Sequence, residues 1–229
     1  LGVEQDDEQA FHWYQKSANQ GHASGQINLA IMYQDGRGID QNDEQAFYWY
    51  QNLADLDYAE GQQSLGYMYQ HGLGVEQDDE NAVYWYRKAA DQGHANAQFN
   101  LGFMYETGRS VDQDFYTAIC WYRKAADSGH ANAQFNLGFM YDHGQGVRQD
   151  YKEAFKWTRK SAEQGDPKAQ YKLGLIYALG KGVHKDYVMA HMYFNIAALS
   201  GDKTAIQNRG MIETNMTSEL NDSRRDEIL

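Results

Sequence analysis

Three sets of residues in this 229-residue chain have types that do chemistry, and each set recurs at one interval. His22, His94 and His130 share a column with members 36 residues, or twice that, apart, and His71 and His143 share another. Metal ligands must converge on one ion at about 2 Å, whereas equivalent side chains of stacked units stand about a helix diameter, ~10 Å, apart. The spacing therefore predicts helix-entry residues, in the place that Asp166 and Asp202 take later. The carboxylate runs Asp6-Asp7-Glu8 and Asp78-Asp79-Glu80 have the makings of an acid–base pair. They stand in first helical turns, where negative charge suits the dipole, and read as solvated caps. Gly36-Arg37-Gly38-Ile39 and its copies from Gly72, Gly144 and Gly180 imitate a phosphate cradle, but a cradle in every unit is a turn. Cys120 is the only cysteine, so no intramolecular disulfide forms. No Ser/His/Asp arrangement or nucleotide fingerprint is present. The expectation is a chain with no catalytic residues, no metal and no cofactor.

The element that carries these residues is a repeat. The phrase GHANAQFNLGFMY occupies 93–105 and returns unchanged at 129–141. Its Leu-small-x-x-Tyr heart reads LAIMY at 29–33, LGYMY at 65–69, LGFMY at 101–105 and 137–141, and LGLIY at 173–177. Trp13, Trp49, Trp85, Trp121 and Trp157 keep the same 36-residue beat, with Tyr193 in the sixth place. A fixed period in this range means a solenoid of stacked units, each touching only its neighbours.

Local signals make each unit a pair of antiparallel helices. Asp150 caps a helix with Glu153 completing a capping box, and Ala154, Trp157, Thr158 and Ala162 share one face. Gly165 ends that helix, Asp166-Pro167 opens the next, and Gly180 closes it. Alanines at 46, 82, 118, 154 and 190, and the column Ala30, Gly66, Gly102, Gly138, Gly174 and Gly210, predict close helix approach. The Trp and Tyr columns fill the wider gaps as core. Arg209 and Glu213 replace the Leu and Tyr of the last unit, so the expected array covers 1–216, five full units and a degenerate sixth. A capping helix is expected over 217–229, beginning at Thr217. Residues 1–10 match 73–82 but for one letter, so the chain is expected to start inside a turn, with its first unit truncated.

Composition narrows the partners. Twenty basic against 32 acidic residues leave a net charge of −12, with a pI near 5.0. Such a chain is repelled by phosphate backbones and anionic lipid, which disfavours nucleic-acid and membrane-surface binding. No stretch approaches the roughly 18 apolar residues of a membrane-spanning helix.

Residues 82–93, AVYWYRKAADQG, and 97–111, AQFNLGFMYETGRSV, resemble the Sel-one-like repeat, a relative of the tetratricopeptide repeat, over about residues 1–216. The resemblance implies an all-α, right-handed α/α superhelical solenoid of two-helix repeats. It further implies a non-catalytic adaptor for a protein or peptide partner, in a bacterial host-interaction or envelope setting, exported to the periplasm or beyond. A single cysteine sets the chain apart from the cysteine-rich subgroup.

By the same analogy the Leu-Gly helix lines the concave side. The faces its core does not need carry Asn96, Phe99, Asn100 and Phe103, then Asn132, Phe135, Asn136 and Phe139, then Lys168, Tyr171 and Lys172. Amides can hydrogen-bond a peptide backbone, rings give contact area, and lysines can receive a carboxylate. The competing reading makes these residues packing between neighbouring helices. Alternatives for the whole chain are an effector-immunity or envelope-regulatory protein, the repeat part of a larger cell-wall hydrolase, and an array that self-assembles through its N-terminal stacking face rather than staying monomeric.

Overall fold

A cap, a short amphipathic run and a left-handed glycine dictate each helix, and the computed structural model shows the same sentence repeated. It describes residues 6–201 and 203–226. The opening turn residues 1–5, the cap expected at Asp202, and the last three residues of the expected capping helix lie outside them.

Twelve helices occupy the described residues: α1 (Asp7–Asn19), α2 (Ala23–Asp35), α3 (Asp43–Asp55), α4 (Ala59–His71), α5 (Asp79–Asp91), α6 (Ala95–Thr107), α7 (Phe115–Asp127), α8 (Ala131–His143), α9 (Tyr151–Glu163), α10 (Pro167–Leu179), α11 (Tyr187–Leu199) and α12 (Lys203–Asp226). They fall into two compact units, residues 1–114 with α1 to α6 and residues 115–229 with α7 to α12. Within each unit odd-numbered first helices alternate with even-numbered second helices.

First helices open on side-chain caps. Asp6, Asn42, Asp78, Asp150 and Asp186 each accept a backbone N–H two or three residues on. Second helices close on Gly36, Gly72, Gly108, Gly144 and Gly180, all left-handed, with φ between 66° and 69°. The capping box expected at Asp150 is half made. Asp150 takes the amides of Lys152 and Glu153, but its own N–H donates to Tyr141 O, and the Glu153 carboxylate accepts from Trp157 Nε1 instead.

The core differs from expectation at one letter. Trp13 is 61% exposed, and Trp49, Trp85 and Trp121 are only half-buried. Lysines lie over the faces of Trp13, Trp85 and Trp121, with Lys124 Nζ 3.8 Å from the Trp121 ring centroid. The buried aromatic is the next residue: Tyr50, Tyr86, Tyr122 and Phe194 are almost wholly enclosed. Neighbouring letters on a helix point about 100° apart, and in these pairs the Tyr side faces the neighbouring second helix. Where that column holds the small Thr158, Trp157 turns inward to 5% exposure.

The small-residue column is explained by the same rings. A Cβ on Gly66 would lie 2.5 Å from Tyr86 Cδ1, and one on Gly174 2.7 Å from Phe194 Cδ1. The glycine thus seats an aromatic ring of the following helix, and Leu29, Leu65, Leu101, Leu137 and Leu173, all fully buried, close around it. The second glycine of each turn does related work. A Cβ on Gly74 would stand 2.2 Å from Asp43 O, so that turn lies directly on the first turn of its own pair's first helix. Ser110 takes this place in the third pair with φ 51°, a strained conformation for a residue bearing Cβ. Beside it, Arg109 grips Asp79 through Nε at 3.0 Å and Nη2 at 2.8 Å.

The break expected at Thr217 is not there. Helix α12 runs through it, and Thr217 Oγ1 donates to Glu213 O one turn earlier rather than capping a new helix.

Candidate functional site

The sequence singled out eleven residues on α6, α8 and α10, and the structure divides them by what they touch. Asn96, Asn132 and Lys168, at the second position of each helix, are exposed. Asn100 and Asn136 are half-buried. Among the described residues none of these four asparagine amides has a hydrogen-bond partner. Phe103 and Phe139 are half-buried, and the Phe139 ring stacks on His143 at 4.0 Å, which turns it along its own helix.

Other residues of the set are committed to packing. Phe135 rests on the cluster of Ala162, Ala169 and Leu173. Tyr171 packs against Phe194 at 5.8 Å and accepts a hydrogen bond from Asn208 Nδ2 at 2.9 Å. Phe99 is half-buried. Lys172 Nζ donates to Asp142 Oδ2 at 2.6 Å, and Lys181 Nζ stands 3.7 Å from the other oxygen. Asp142 is only 5% exposed. Burial opposes its ionisation, but the Lys172 hydrogen bond and the charges of Lys172, Lys181 and His143 outweigh that and hold the carboxyl below its usual range. A partner's carboxylate at Lys172 therefore has to compete with one already in place.

Two features escaped sequence reasoning. Asp142 occupies the column of Gln34 and Gln70, whose side chains accept from Tyr50 Oη at 3.3 Å and Tyr86 Oη at 2.7 Å. Burial pushes the Tyr50 phenol up to about 12. Where Thr158 replaces the tyrosine, the column holds Asp142, which turns to Lys172. A second feature is a buried glutamine row: Gln26, Gln62, Gln98 and Gln134, each at most 6% exposed. The polar letters recurring at that place among apolar columns were the available signal.

The histidine column behaves as helix entry. Ala97 N–H donates to His94 Nδ1 and Ala133 N–H to His130 Nδ1. His94 Nε2 also meets Glu60 at 2.9 Å, a hydrogen bond that holds the Glu60 carboxyl below its usual range against burial. His22 occupies the cap position without a side-chain bond. No group of three metal-ligating side chains occurs among the described residues. Nor is any described helix long and apolar enough to cross a membrane.

The Sel1 repeat model matches residues 1–22, 23–58, 59–94, 95–130, 131–166 and 167–202, nearly the whole chain. The chain belongs to the Sel1 repeat family. The matched segments 23–58, 59–94, 131–166 and 167–202 each hold a second helix and the first helix that follows it, the kind of pair that buries Gly66 against Tyr86. A Sel1 repeat protein from Oxalobacter formigenes is 34% identical, with a TM-score of 0.83 over 90% of this chain and 84% of that one. A protective antigen of uropathogenic Escherichia coli with the same fold, c5321, is 33% identical with a TM-score of 0.58. The match covers 94% of this chain and 54% of the antigen. Immunity protein Pa5087 of Pseudomonas aeruginosa shares the fold at 22% identity and a TM-score of 0.57, over 86% and 75% of the two chains. Curated proteins hold no match to the chain. Sel1 repeats form all-α arrays of helix pairs that generally serve as protein-interaction scaffolds, without catalysis of their own.

Proposed function

We propose that this Sel1 repeat chain is a non-catalytic scaffold that holds a partner protein or peptide on the outward faces of its second helices. The observation that carries this reading is a pair of unspent amides on a second helix of each unit. Asn96 and Asn100 in the first unit, and Asn132 and Asn136 in the second, offer donors and acceptors that no described residue uses, while the buried Gln62 and Gln134 are bonded to neighbours. A helix that carries two free amides one turn apart suits an extended backbone, whose own groups repeat, and each unit has such a helix. Lys168, exposed at the same turn of α10, adds a cation that no described residue pairs with. Phe135 and Tyr171 hold the helices together beneath this surface, so the contact residues reduce to the asparagines, Lys168, and the edges of Phe103 and Phe139. Similarity to a protective antigen supports a host-facing or envelope setting.

The test places a photo-crosslinking residue at Asn100 or Asn136 and, as a control, at the exposed Tyr84 on a first helix. A partner captured from the asparagine sites alone is then purified. Its affinity is expected to fall at least tenfold when Asn96, Asn100, Asn132 and Asn136 are all changed to Ala. Equal affinity for that variant refutes the surface.

A further inference from the structure

In the second unit the turn after α8, the start of α9 and the turn after α10 enclose an open groove of about 600 Å³. Tyr141, Arg148, Tyr151 and Lys152 line it, with the backbone of Gly182 at one side. The same three places of the repeat hold Asp40, Asp43 and Glu44 in one earlier turn, and Glu76, Asp79 and Glu80 in another. Here they hold Arg148, Tyr151 and Lys152, so three acids have become two cations and an aromatic ring.

Neither cation is spent. No described residue pairs with the side chain of Arg148 or Lys152, and both residues are exposed. Asp150, the one acid in the lining, is occupied as the α9 cap, its Oδ1 accepting two backbone amides. Further cations stand behind the rings. Arg123 hydrogen-bonds the Tyr141 hydroxyl, and Lys181 Nζ sits 5.1 Å from the Tyr151 ring centroid. The wider charge follows: residues 1–114 contain 19 acids and 5 bases, and residues 115–229 contain 13 acids and 15 bases. The balance changes sign between the two halves, which gives the second a field that attracts anions.

We infer that this groove docks an acidic segment of a partner protein, with carboxylates on Arg148 and Lys152 and the chain lying across Tyr151. The guanidinium fork suits a carboxylate in two-point contact, and tyrosine faces supply contact area without demanding a sequence. A longer polyanion such as a nucleic acid is disfavoured by the chain's net charge of −12. None of the asparagines of the proposed partner surface lines this groove, so the two readings fail separately.

Fluorescence anisotropy with a fluorescein-labelled hexaglutamate peptide tests it, with hexalysine as control. Saturable binding is expected for hexaglutamate alone, weakening as salt rises from 20 to 150 mM (an expected trend of screening). The R148E/K152E variant, whose changes are confined to exposed side chains, is expected to melt like the parent and bind at least tenfold more weakly. Absence of binding by the parent, or equal binding by the variant, overturns the inference. Loss of binding in the four-asparagine variant overturns it too, because the peptide would then sit elsewhere. Sedimentation velocity completes the test: a dimer of the parent that R148E/K152E dissociates would make the occupant a second copy of this chain.

Discussion

Gln92 Nε2 donates to Gln62 Oε1 at 2.8 Å, thirty residues back along the chain, and also reaches Asp57 O at 3.2 Å. Gln164 repeats the pair on Gln134 at 2.7 Å and on Gly129 O at 2.9 Å. The residue that ends a first helix thus reaches back to the preceding helix pair and satisfies its buried glutamine. Where that residue is not glutamine, the acceptor is orphaned. Leu56 holds the place facing Gln26, and Gln26 Oε1 has no partner.

Leu56→Gln should therefore stabilise the protein. Leu56 is 60% exposed, and its φ of −87° and ψ of 11° are close to those of Gln92 at −79° and −1°. Little apolar burial is lost, and a buried acceptor gains its donor, worth about 1 kcal/mol. Urea unfolding should show a higher midpoint at unchanged slope. A lower midpoint would mean the first pairs stack differently from the later ones.

The inverted roles of Trp and Tyr give a paired prediction. Tyr86→Ala removes a fully buried ring and strands Gln70 Oε1, and should cost about 3–5 kcal/mol. Trp85→Ala removes a larger but half-exposed ring and should cost about 1–2 kcal/mol. Chemical denaturation of both variants decides the order. Trp85→Ala as the costlier change would restore tryptophan to the centre of the core.

Asp142 allows a test of the Lys172 contact that also bears on partner binding. Lys172→Ala leaves a buried carboxylate with the more distant Lys181 and His143, at a cost of about 2 kcal/mol at pH 7. The native pair depresses the Asp142 pKa, so its contribution is full above the unfolded carboxyl range and disappears as pH falls through the folded value. The gap in melting temperature between parent and variant should accordingly narrow below about pH 4. A gap independent of pH would assign the loss to packing of the lysine stem.

The period, the leucine and glycine columns and the helix caps were legible because each repeats under one constraint. Gly66 and Gly174 differ in sequence context, but each receives an aromatic ring, Tyr86 or Phe194, from the next helix. The Trp-Tyr dipeptide was ambiguous for a physical reason: both letters are aromatic, and a register error of one residue rotates the face by about 100°. Lys172 was misleading differently. Its partner belongs to another column, thirty residues away, and a reading organised by 36-residue columns compares residues that never touch. The glutamine pairs are hidden by the same offset. Phe135 and Tyr171 show the converse case, since letters left over after one helix pair's core is filled are used by the next pair.

Acid should loosen the second unit through His130. Its Nδ1 accepts the Ala133 amide at the entry to α8, and burial holds its pKa below the ordinary 6.5. The unfolded chain therefore takes up a proton at a higher pH than the folded one, and stability must fall as pH drops from about 7 through 6.5 toward the folded value. His130→Asn keeps a side-chain acceptor suited to a helix cap but removes the titration. Thermal melts of the parent should lose stability between pH 7 and pH 5.5, and those of His130→Asn should lose less over the same window. Two parallel profiles would show that protonation of His130 is not coupled to folding. A steeper profile for the asparagine variant would mean that the protonated imidazole is the form the fold prefers, and the sign of the shift would be reversed.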